Sequence, residues 1–195
     1  MTLKLNGSSS GYTAIDATAA AGNNTLTLPT QAGTIRTTGT PGAILQVLQS
    51  VKTDTQTGTT SGTTYVDVLT QAITPSSASN KILINVSLAC DIETNHYGMV
   101  AQLFRDSTAI MKSDASNSNI RCTFGLDYAT AKKVPQYSIS YLDSPNTTSS
   151  TTYKLCVQDG NGDGGTYFVN RPRDTSTNDD VMVTCSSITL MEVAG

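Results

Sequence analysis

The chain has 195 residues, a formal net charge of −3 at pH 7 and only 14% charged residues. This length allows one ordinary domain and a short appendage, with enough residues for a sizeable core. Mild acidity without clusters of lysine or arginine argues against nucleic-acid binding, which needs a basic surface. No apolar run approaches the roughly 18 residues of a membrane-spanning helix, and the N-terminus lacks the apolar segment of a signal peptide. We therefore predict a protein that is made in the cytoplasm and does not insert into membranes.

Serine and threonine supply roughly a quarter of the residues, which is an unusual share, while 6% are aromatic and tryptophan is absent. Threonine is β-branched and suits strands, whereas serine, asparagine and glycine suit turns. The composition therefore predicts an all-β fold with many solvated faces.

Residues 1–40 differ from the rest of the chain. Short strand-like pieces alternate there with turn-forming stretches rich in Gly, Asn and Pro; the pieces are LKL, YTAIDA, TLTLP and GTIRT. Their apolar residues are too few to close a core within one chain. Such a segment is either disordered or completed by neighbouring chains, and its regular rhythm favours neighbouring chains. We predict a β-structured stem or attachment segment at 1–40 and a head domain at 41–195, with a hinge at 37–43.

From about residue 43 the strand patterns lengthen. At least seven candidates follow one another with turn signals between them: AILQVLQSV, TYVDVLTQAI, KILINVSLAC, GMVAQLFRD, QYSISYLD, TYKLCVQ and VMVTCSSITLMEV. In the last of these the alternation changes phase near Ser186–Ser187, which predicts a β-bulge. No segment has a helical period over three turns, and ATAKK (129–133) could form a short turn at most. The spacing indicates an antiparallel β-sandwich or jelly roll.

The four cysteines, Cys90, Cys122, Cys156 and Cys185, are far apart in the sequence and form no CxxC or Cys/His pair. A zinc site therefore has little support. Each cysteine lies in a strand-like context, so we expect reduced, buried core residues. A disulfide between two of them remains an alternative that the spacing does not settle.

The sequence contains few candidate catalytic residues. His96 is the sole histidine, so a Ser–His–Asp or Cys–His mechanism would have to use it, yet it lies in a polar loop and no G-x-S-x-G sequence occurs. A pair of carboxylates could still act as a glycosidase, but the acidic residues are sparse and mostly lie in turns. We predict that the protein is not an enzyme and has no cofactor or catalytic residue.

The stretch QDGNGDGGTY (158–167) places Asp159, Asn161 and Asp163 at alternate positions before Gly164, as in an EF-hand loop. Position 12 of that loop would be Asn170, where calcium binding requires a bidentate Glu. The four glycines at 160, 162, 164 and 165 suit the positive-φ positions of a tight connection. We therefore predict a hairpin between two strands and no metal site, with a calcium site as the alternative.

One resemblance extends over nearly the whole chain. LNGSSSGYTAIDATAAAGNNTLTLPTQAGTIRTTGT resembles a unit common in fibre and tail proteins of bacteriophages, especially marine ones. The remainder, from GAILQVLQS to SSITLMEVAG, is similar to the distal domain that often follows this unit. The most specific parts are NNTLTLP and ITPSSASNKILI.

The resemblance implies a homotrimeric virion protein with a short intertwined β stem and a jelly-roll-like head. Such proteins are fibres or spikes that attach to the tail or capsid through the N-terminal segment, and a host-surface glycan is a candidate partner. The receptor-binding residues are unknown. Loops at the distal end usually contact the receptor, so the loops 93–98 and 170–180 are the candidates for this contact. With only about one stem unit, a capsid decoration protein also fits. A free lectin and a polysaccharide-cleaving spike are further alternatives.

Overall fold

The computed structural model describes residues 3–6, 10–15, 41–93, 98–129, 132–174, 176 and 179–195. Two compact units are distinguished along the chain, Met1–Ile35 and Arg36–Gly195. Within the described residues every regular element is a β-strand, and no helix occurs. The predicted all-β class is therefore confirmed.

In the first unit, strands β1 (Leu3–Asn6) and β2 (Tyr12–Ile15) form an antiparallel two-stranded sheet. The predicted strands TLTLP and GTIRT and most of the predicted hinge lie outside the described residues. The assignment of a stem at 1–40 and a head at 41–195 stays a prediction.

The second unit contains two antiparallel sheets. The six-stranded sheet has the order β3-β13-β6-β12-β4, with β10 also paired to β6; its strands are β3 (Ile44–Lys52), β4 (Gln56–Thr59), β6 (Lys81–Ile92), β10 (Gln136–Asp143), β12 (Thr166–Val169) and β13 (Ser186–Val193). The five-stranded sheet has the order β5-β11-β7-β8, with β9 paired to β7; its strands are β5 (Val66–Ile73), β7 (Met99–Arg105), β8 (Thr108–Ile110), β9 (Phe124–Gly125) and β11 (Thr151–Asp159).

The chain passes repeatedly from one sheet to the other, from β4 to β5, β5 to β6, β6 to β7, β9 to β10, β10 to β11 and β11 to β12. One core fills the space between the sheets and takes side chains from both of them. This is the antiparallel sandwich of jelly-roll-like type that the strand rhythm predicts. The homotrimer stays a prediction.

Strict alternation in β6 builds the middle of this core. Its inward residues Ile82, Ile84, Val86, Leu88 and Cys90 are each at most 3% exposed, as the pattern of KILINVSLAC predicts. From Leu88 onward both faces of the strand are buried, because the segments after β9 and after β12 lie against its outer face, where Asp91 accepts hydrogen bonds from Ala129 and Arg173. In β11 the inward residues Tyr153, Leu155 and Val157 are fully buried, and this prediction is also confirmed.

The predicted bulge at Ser186–Ser187 is wrong. The phase change there marks the start of β13, because residues 181–185 before it are not in a strand. The bulge occurs at the other end of β13, where Glu192 pairs with Gln46 and Val193 pairs with Ile44, so that Leu45 is the extra residue. A second bulge, opposite Leu155 and Cys156 of β11, adds Val68 to β5.

Candidate functional site

An open cleft of about 280 Å³ lies on the five-stranded sheet, on the face opposite the core. We call it the aromatic cleft. Its lining combines two aromatic rings with acidic, basic and hydroxyl side chains: Tyr65, Asp67, Phe104, Asp106, Ser107, Lys154 and Cys156. The rings of Tyr65 and Phe104 meet edge to face, with centroids 4.8 Å apart and planes at 75°. This geometry is a favourable one for an aromatic pair.

Strand pairing brings these side chains together. Lys154 of β11 pairs with Phe104 of β7, and both point away from the core because Leu155 next to Lys154 points into it. On the other edge of β11, the bulge at Val68 places Asp67 directly opposite Cys156. Since directly paired residues share one face of a sheet, three strands contribute to a single cleft.

The turn between β7 and β8 closes one side of the cleft. Asp106 adopts a left-handed backbone with a φ of 52°, and its carboxylate accepts a hydrogen bond from the Thr152 amide at 2.8 Å. The Asp106 amide donates in turn to the Thr152 carbonyl at 2.7 Å. These two bonds fix the position of the neighbouring Ser107 hydroxyl.

Asp67 is the electrostatic centre of the cleft. The Lys154 ammonium donates to both of its carboxylate oxygens, at 3.2 and 3.0 Å, and the Cys156 thiol donates to one of them at 3.0 Å. Partial burial would raise the pKa of Asp67, but these hydrogen bonds lower it below its usual value. Burial and the neighbouring Asp67 raise the pKa of the Cys156 thiol strongly. The thiol therefore stays protonated and acts as a hydrogen-bond donor, not as a nucleophile.

The aromatic cleft has the chemistry that suits a sugar ring. A pyranose presents C–H groups on its faces and hydroxyls around its edge, so that aromatic rings can cover the former and charged or hydroxyl side chains can bond to the latter. No pattern in the sequence predicted this site. Asp67 and Lys154 each lie between apolar neighbours in a strand-like run, which predicts that they point away from the core. Only the strand order shows that the two side chains lie close together.

A second cavity, of about 620 Å³, lies beside the C-terminal strand. Its lining is mostly polar and contains no aromatic residue: Leu45, Gln46, Ser76, Ser77, Ser79, Asn80, Glu192, Ala194 and Gly195. Glu192 is 1% exposed and accepts four hydrogen bonds within 2.6–2.7 Å, from Gln46, the Ser76 amide and hydroxyl, and Asn80. Burial would raise the pKa of Glu192, but these donors hold it below its usual value. The carboxylate thus joins three segments of the chain and has a structural role.

Of the two candidate receptor loops, the structure describes only Glu93 and Gly98 of residues 93–98, and His96 lies outside the described residues. The other loop, 170–180, begins with Asn170, which is buried. Its amide group donates to the carbonyls of Lys52 and Asp54 at 2.8 and 2.9 Å, and its carbonyl oxygen accepts from Ser186 at 2.6 Å. Asn170 therefore serves the fold and is not a receptor contact.

Asp91 holds the next part of the same loop. This fully buried carboxylate accepts hydrogen bonds from the amides of Ala129 and Arg173, at 3.1 and 3.0 Å. The Arg173 guanidinium lies 3.5 Å from Asp91 and 5.6 Å from the centre of the Tyr128 ring. These contacts hold Arg173 and the start of the loop against the segment after β9.

All four cysteines are free, which agrees with the reduced state predicted. Cys90 and Cys156 are buried, and burial raises the pKa of Cys90 to about 12. The expectation of burial is wrong for Cys185, which is exposed, and holds only in part for Cys122. Cys185 precedes β13 and Cys122 precedes β9, so neither has the strand alternation that places Cys90 and Cys156.

The segment 160–165 does not form the predicted hairpin, because β11 and β12 belong to different sheets. It connects the five-stranded sheet to the six-stranded sheet, and the fully buried Asp159 stabilises its conformation. One oxygen of Asp159 accepts from the Asn161 amide at 3.1 Å and the other from the Gly164 amide at 2.6 Å. Gly162 and Gly164 have a φ of 83° each, so two of the four glycines meet the predicted need for positive φ.

We expect Asp159→Ala to lower the melting temperature by about 4–8 °C, since losing these bonds costs on the order of 2 kcal/mol in a chain of this size. Excess EDTA should leave the melting temperature of the wild-type protein unchanged, because amide groups already occupy both carboxylate oxygens. Differential scanning fluorimetry measures both effects. A fall of several degrees with EDTA would instead support a calcium site.

Among the residues that the structure describes, no group of three or more His, Cys, Asp or Glu side chains is arranged to hold a metal ion. A helix long and apolar enough to cross a membrane is likewise not found in the described part of the chain.

No protein-family model matches the chain, and no curated protein matches it either. Two solved structures are similar over most of its length. The structure of infectious bursal disease virus, Gx strain, has 9% identity and a TM-score of 0.40 over 87% of this chain and 41% of that one. A mutant VP2 protein of the same virus, from derived T=1 particles, has 14% identity and a TM-score of 0.38 over 93% of this chain and 42% of that one. The chain thus spans about two fifths of the length of each.

Proposed function

We propose that this protein is a non-enzymatic phage virion protein, a homotrimeric fibre or spike whose head binds a host-surface saccharide in the aromatic cleft. The observation that carries the binding role is the cleft itself, in which the Tyr65 and Phe104 rings lie beside the Asp67–Lys154 ion pair and the Ser107 hydroxyl. Pockets that bind small ligands combine apolar walls with a few placed polar groups in this manner.

A binding role fits the cleft better than sugar cleavage. A glycosidase needs one carboxyl group with a raised pKa that can donate a proton to the leaving oxygen. In the cleft, Lys154 and Cys156 lower the pKa of Asp67, so this carboxyl group is ionised at neutral pH and cannot act as the acid. The carboxylate of Asp106 is engaged with the Thr152 amide, which holds the turn.

Weak binding by one cleft suits a trimeric protein. Three heads on one stem convert modest single-site affinity into strong attachment through linked binding. The resemblance of residues 1–40 to the stem unit of phage fibres supports attachment to the tail or capsid through that segment. Labelling of this subunit on intact virions distinguishes tail from capsid, and a subunit absent from virions would favour a free lectin.

We expect Tyr65→Ala to weaken saccharide binding about tenfold per site, which corresponds to about 1.4 kcal/mol and is reasonable for one stacking ring. The wild-type protein is first applied to a microarray of bacterial surface glycans. The dissociation constant of the best glycan is then measured by isothermal titration calorimetry for both proteins.

Tyr128→Ala is the matched control, because Tyr128 is also a partly exposed tyrosine, 38% exposed, but lies against Arg173 and outside the cleft. It should bind the glycan as the wild type does. Loss of binding in Tyr128→Ala with full binding in Tyr65→Ala would move the receptor site to the loop at 170–180. A correctly folded protein that binds no glycan on the array would contradict the adhesion role.

A further inference from the structure

The outer face of the six-stranded sheet carries a row of four apolar side chains, one from each of four neighbouring strands. Met191 of β13 pairs with Val47 of β3 on one side and with Leu83 of β6 on the other, and Leu83 pairs with Leu142 of β10. Directly paired residues lie about 5 Å apart on one face, so these four form a continuous band. Val47 and Leu142 at its ends are 54% and 48% exposed.

The next two rows of this face are uncharged as well. They consist of Gln49, Thr189, Asn85 and Ser140, followed by Val51, Ser187, Ser87 and Ser138. We call these three rows together the uncharged face. Five of its twelve positions are apolar and the other seven carry neutral polar side chains, so no charge interrupts this surface; the apolar positions are Val47, Val51, Leu83, Leu142 and Met191.

A second copy of the chain is the occupant that this surface suits best. An uncharged face can pack against a copy of itself without like-charge repulsion and without burying an unpaired charge. Its small hydroxyl and amide side chains can donate and accept hydrogen bonds with their equivalents in another copy. One such bond already crosses the face, from the Gln49 amide to the Thr189 hydroxyl at 2.8 Å.

The geometry points to packing of the uncharged face around a three-fold axis, as the contact between heads in the homotrimer. This inference deepens the proposed function and rests on it for the number of subunits.

The width of the face fits three copies. Four strands spaced about 4.8 Å apart span about 19 Å. Three such faces form the sides of a triangular prism, and the axis of that prism lies about 5.5 Å from each sheet. Packed sheets are about 10 Å apart, so each sheet lies at about half that distance from the axis. Side chains from three copies therefore fill the prism.

The area of the face is adequate for the centre of an interface. Twelve positions cover about 400 Å² of flat sheet, about half of the 800 Å² or so that each partner contributes to a standard interface. Ile44, which is 57% exposed, and its pair Val193 extend the face by one more apolar row. Beyond them Lys81 pairs with Val193 and marks the edge of this row.

Cross-linking tests the placement of the face. Met191 lies on one of the two middle strands, so in a trimer three copies of it come together near the axis. Because Cys185 is itself exposed, the test uses the full-length protein with Cys185→Ser as the parent, and we expect Met191→Cys in this parent to form covalent dimers under mild copper oxidation, seen on non-reducing gels. Met182→Cys is the matched control, since Met182 is 52% exposed but lies outside the face. Like the Cys185→Ser parent, it should form none.

Sedimentation equilibrium of the full-length protein tests the contribution of the face to assembly. The wild type should sediment as a trimer of the 20.5 kDa chain. Val47→Asp should raise the concentration at the midpoint of trimer dissociation at least tenfold, because three carboxylates would crowd an apolar contact. Val183→Asp introduces the same charge at a position that is 64% exposed and outside the face, and it should dissociate as the wild type does.

A monomeric wild-type protein, or equal cross-linking by Met191→Cys and Met182→Cys, would overturn the inference, and a stable dimer would overturn the three-fold arrangement. Should Val47→Asp fail to fold, the cross-linking result decides. The two proposals fail separately, since a trimer that binds no glycan contradicts only the adhesion role. A monomer that still binds glycan contradicts both the assembly face and the homotrimer but not the binding cleft, whereas a trimer with equal cross-linking at positions 191 and 182 contradicts only the assembly face.

Discussion

Replacing Asp143 with alanine is expected to lower the free energy of unfolding by about 3 kcal/mol, the lower part of the range for breaking a buried ion pair. Arg105 donates from one nitrogen to both carboxylate oxygens of Asp143, at 3.0 and 2.9 Å. The hydroxyl of Tyr153, a fully buried residue, donates to one of them at 2.7 Å. The substitution leaves a guanidinium and a phenol without their acceptor at the end of the sandwich core.

The cost should stay near the lower limit because the Arg105 side chain is 28% exposed and can turn toward water, whereas Tyr153 cannot. Urea unfolding followed by circular dichroism measures the difference. Tyr153→Phe is the matched control, because it removes one hydrogen bond and keeps both charges, and it should cost only about 1 kcal/mol. An Asp143→Ala protein as stable as Tyr153→Phe would show that the ion pair adds nothing.

The parts of this fold that local patterns determine could be predicted. In β6 the side chains alternate between the core and the outer face, and a period of two in the sequence is enough to say which residues are inside. The same reasoning places Tyr153, Leu155 and Val157 of β11 in the core. These predictions require no knowledge of which strands are neighbours.

Strand order, in contrast, depends on contacts between distant parts of the chain. The glycine-rich stretch at 160–165 contains glycines with positive φ and follows an aspartate that accepts from nearby amides, and positive-φ glycines would equally suit a turn between two paired strands. Only the pairing of β12 with β4 and β6 shows that the stretch connects two different sheets. The predicted hairpin was wrong for this reason.

Both proposed sites depend on such distant pairings. Each strand of the aromatic cleft shows an outward charged or aromatic residue in the sequence, but the cleft exists because β11 lies between β5 and β7. Likewise, Val47, Leu83, Leu142 and Met191 are single exposed or half-buried apolar residues until the register aligns them in one row. Single exposed apolar residues are ordinary, and only their alignment indicates an interface.

The hydrogen-bond partners of Glu192 could not be predicted either, and they lead to a pH-dependent prediction. Glu192 alternates with Ile188 and Leu190 on the core-facing side of β13, and the regular register pairs it with Gln46, just before the bulge at Leu45. Ser76 and Asn80, from the segment between β5 and β6, then supply further donors at 2.6–2.7 Å. Four donors from neutral groups stabilise the charged form of the carboxylate.

We expect Glu192→Gln to reduce the free energy of unfolding by about 3 kcal/mol at neutral pH, since hydrogen bonds to a charged group are worth about 1.5–3 kcal/mol and the new amide group faces existing donors. Because the pKa of Glu192 in the folded protein lies below its ordinary value of 4.5, this carboxylate contributes its full stabilisation above that pH. The contribution disappears as the pH falls through the folded-state pKa, where the carboxyl group takes up a proton.

The difference in stability between the wild type and Glu192→Gln should therefore be constant from about pH 6 to pH 8 and shrink steadily in acid, as linkage requires. Urea unfolding at a series of pH values measures it. Asp163→Asn provides the control, because it makes the same acid-to-amide change at an exposed loop position and should alter stability by no more than about 0.5 kcal/mol. A difference that stays the same down to pH 3 would mean that the shape of the Glu192 side chain, and not its charge, holds the C-terminal strand against the segment between β5 and β6.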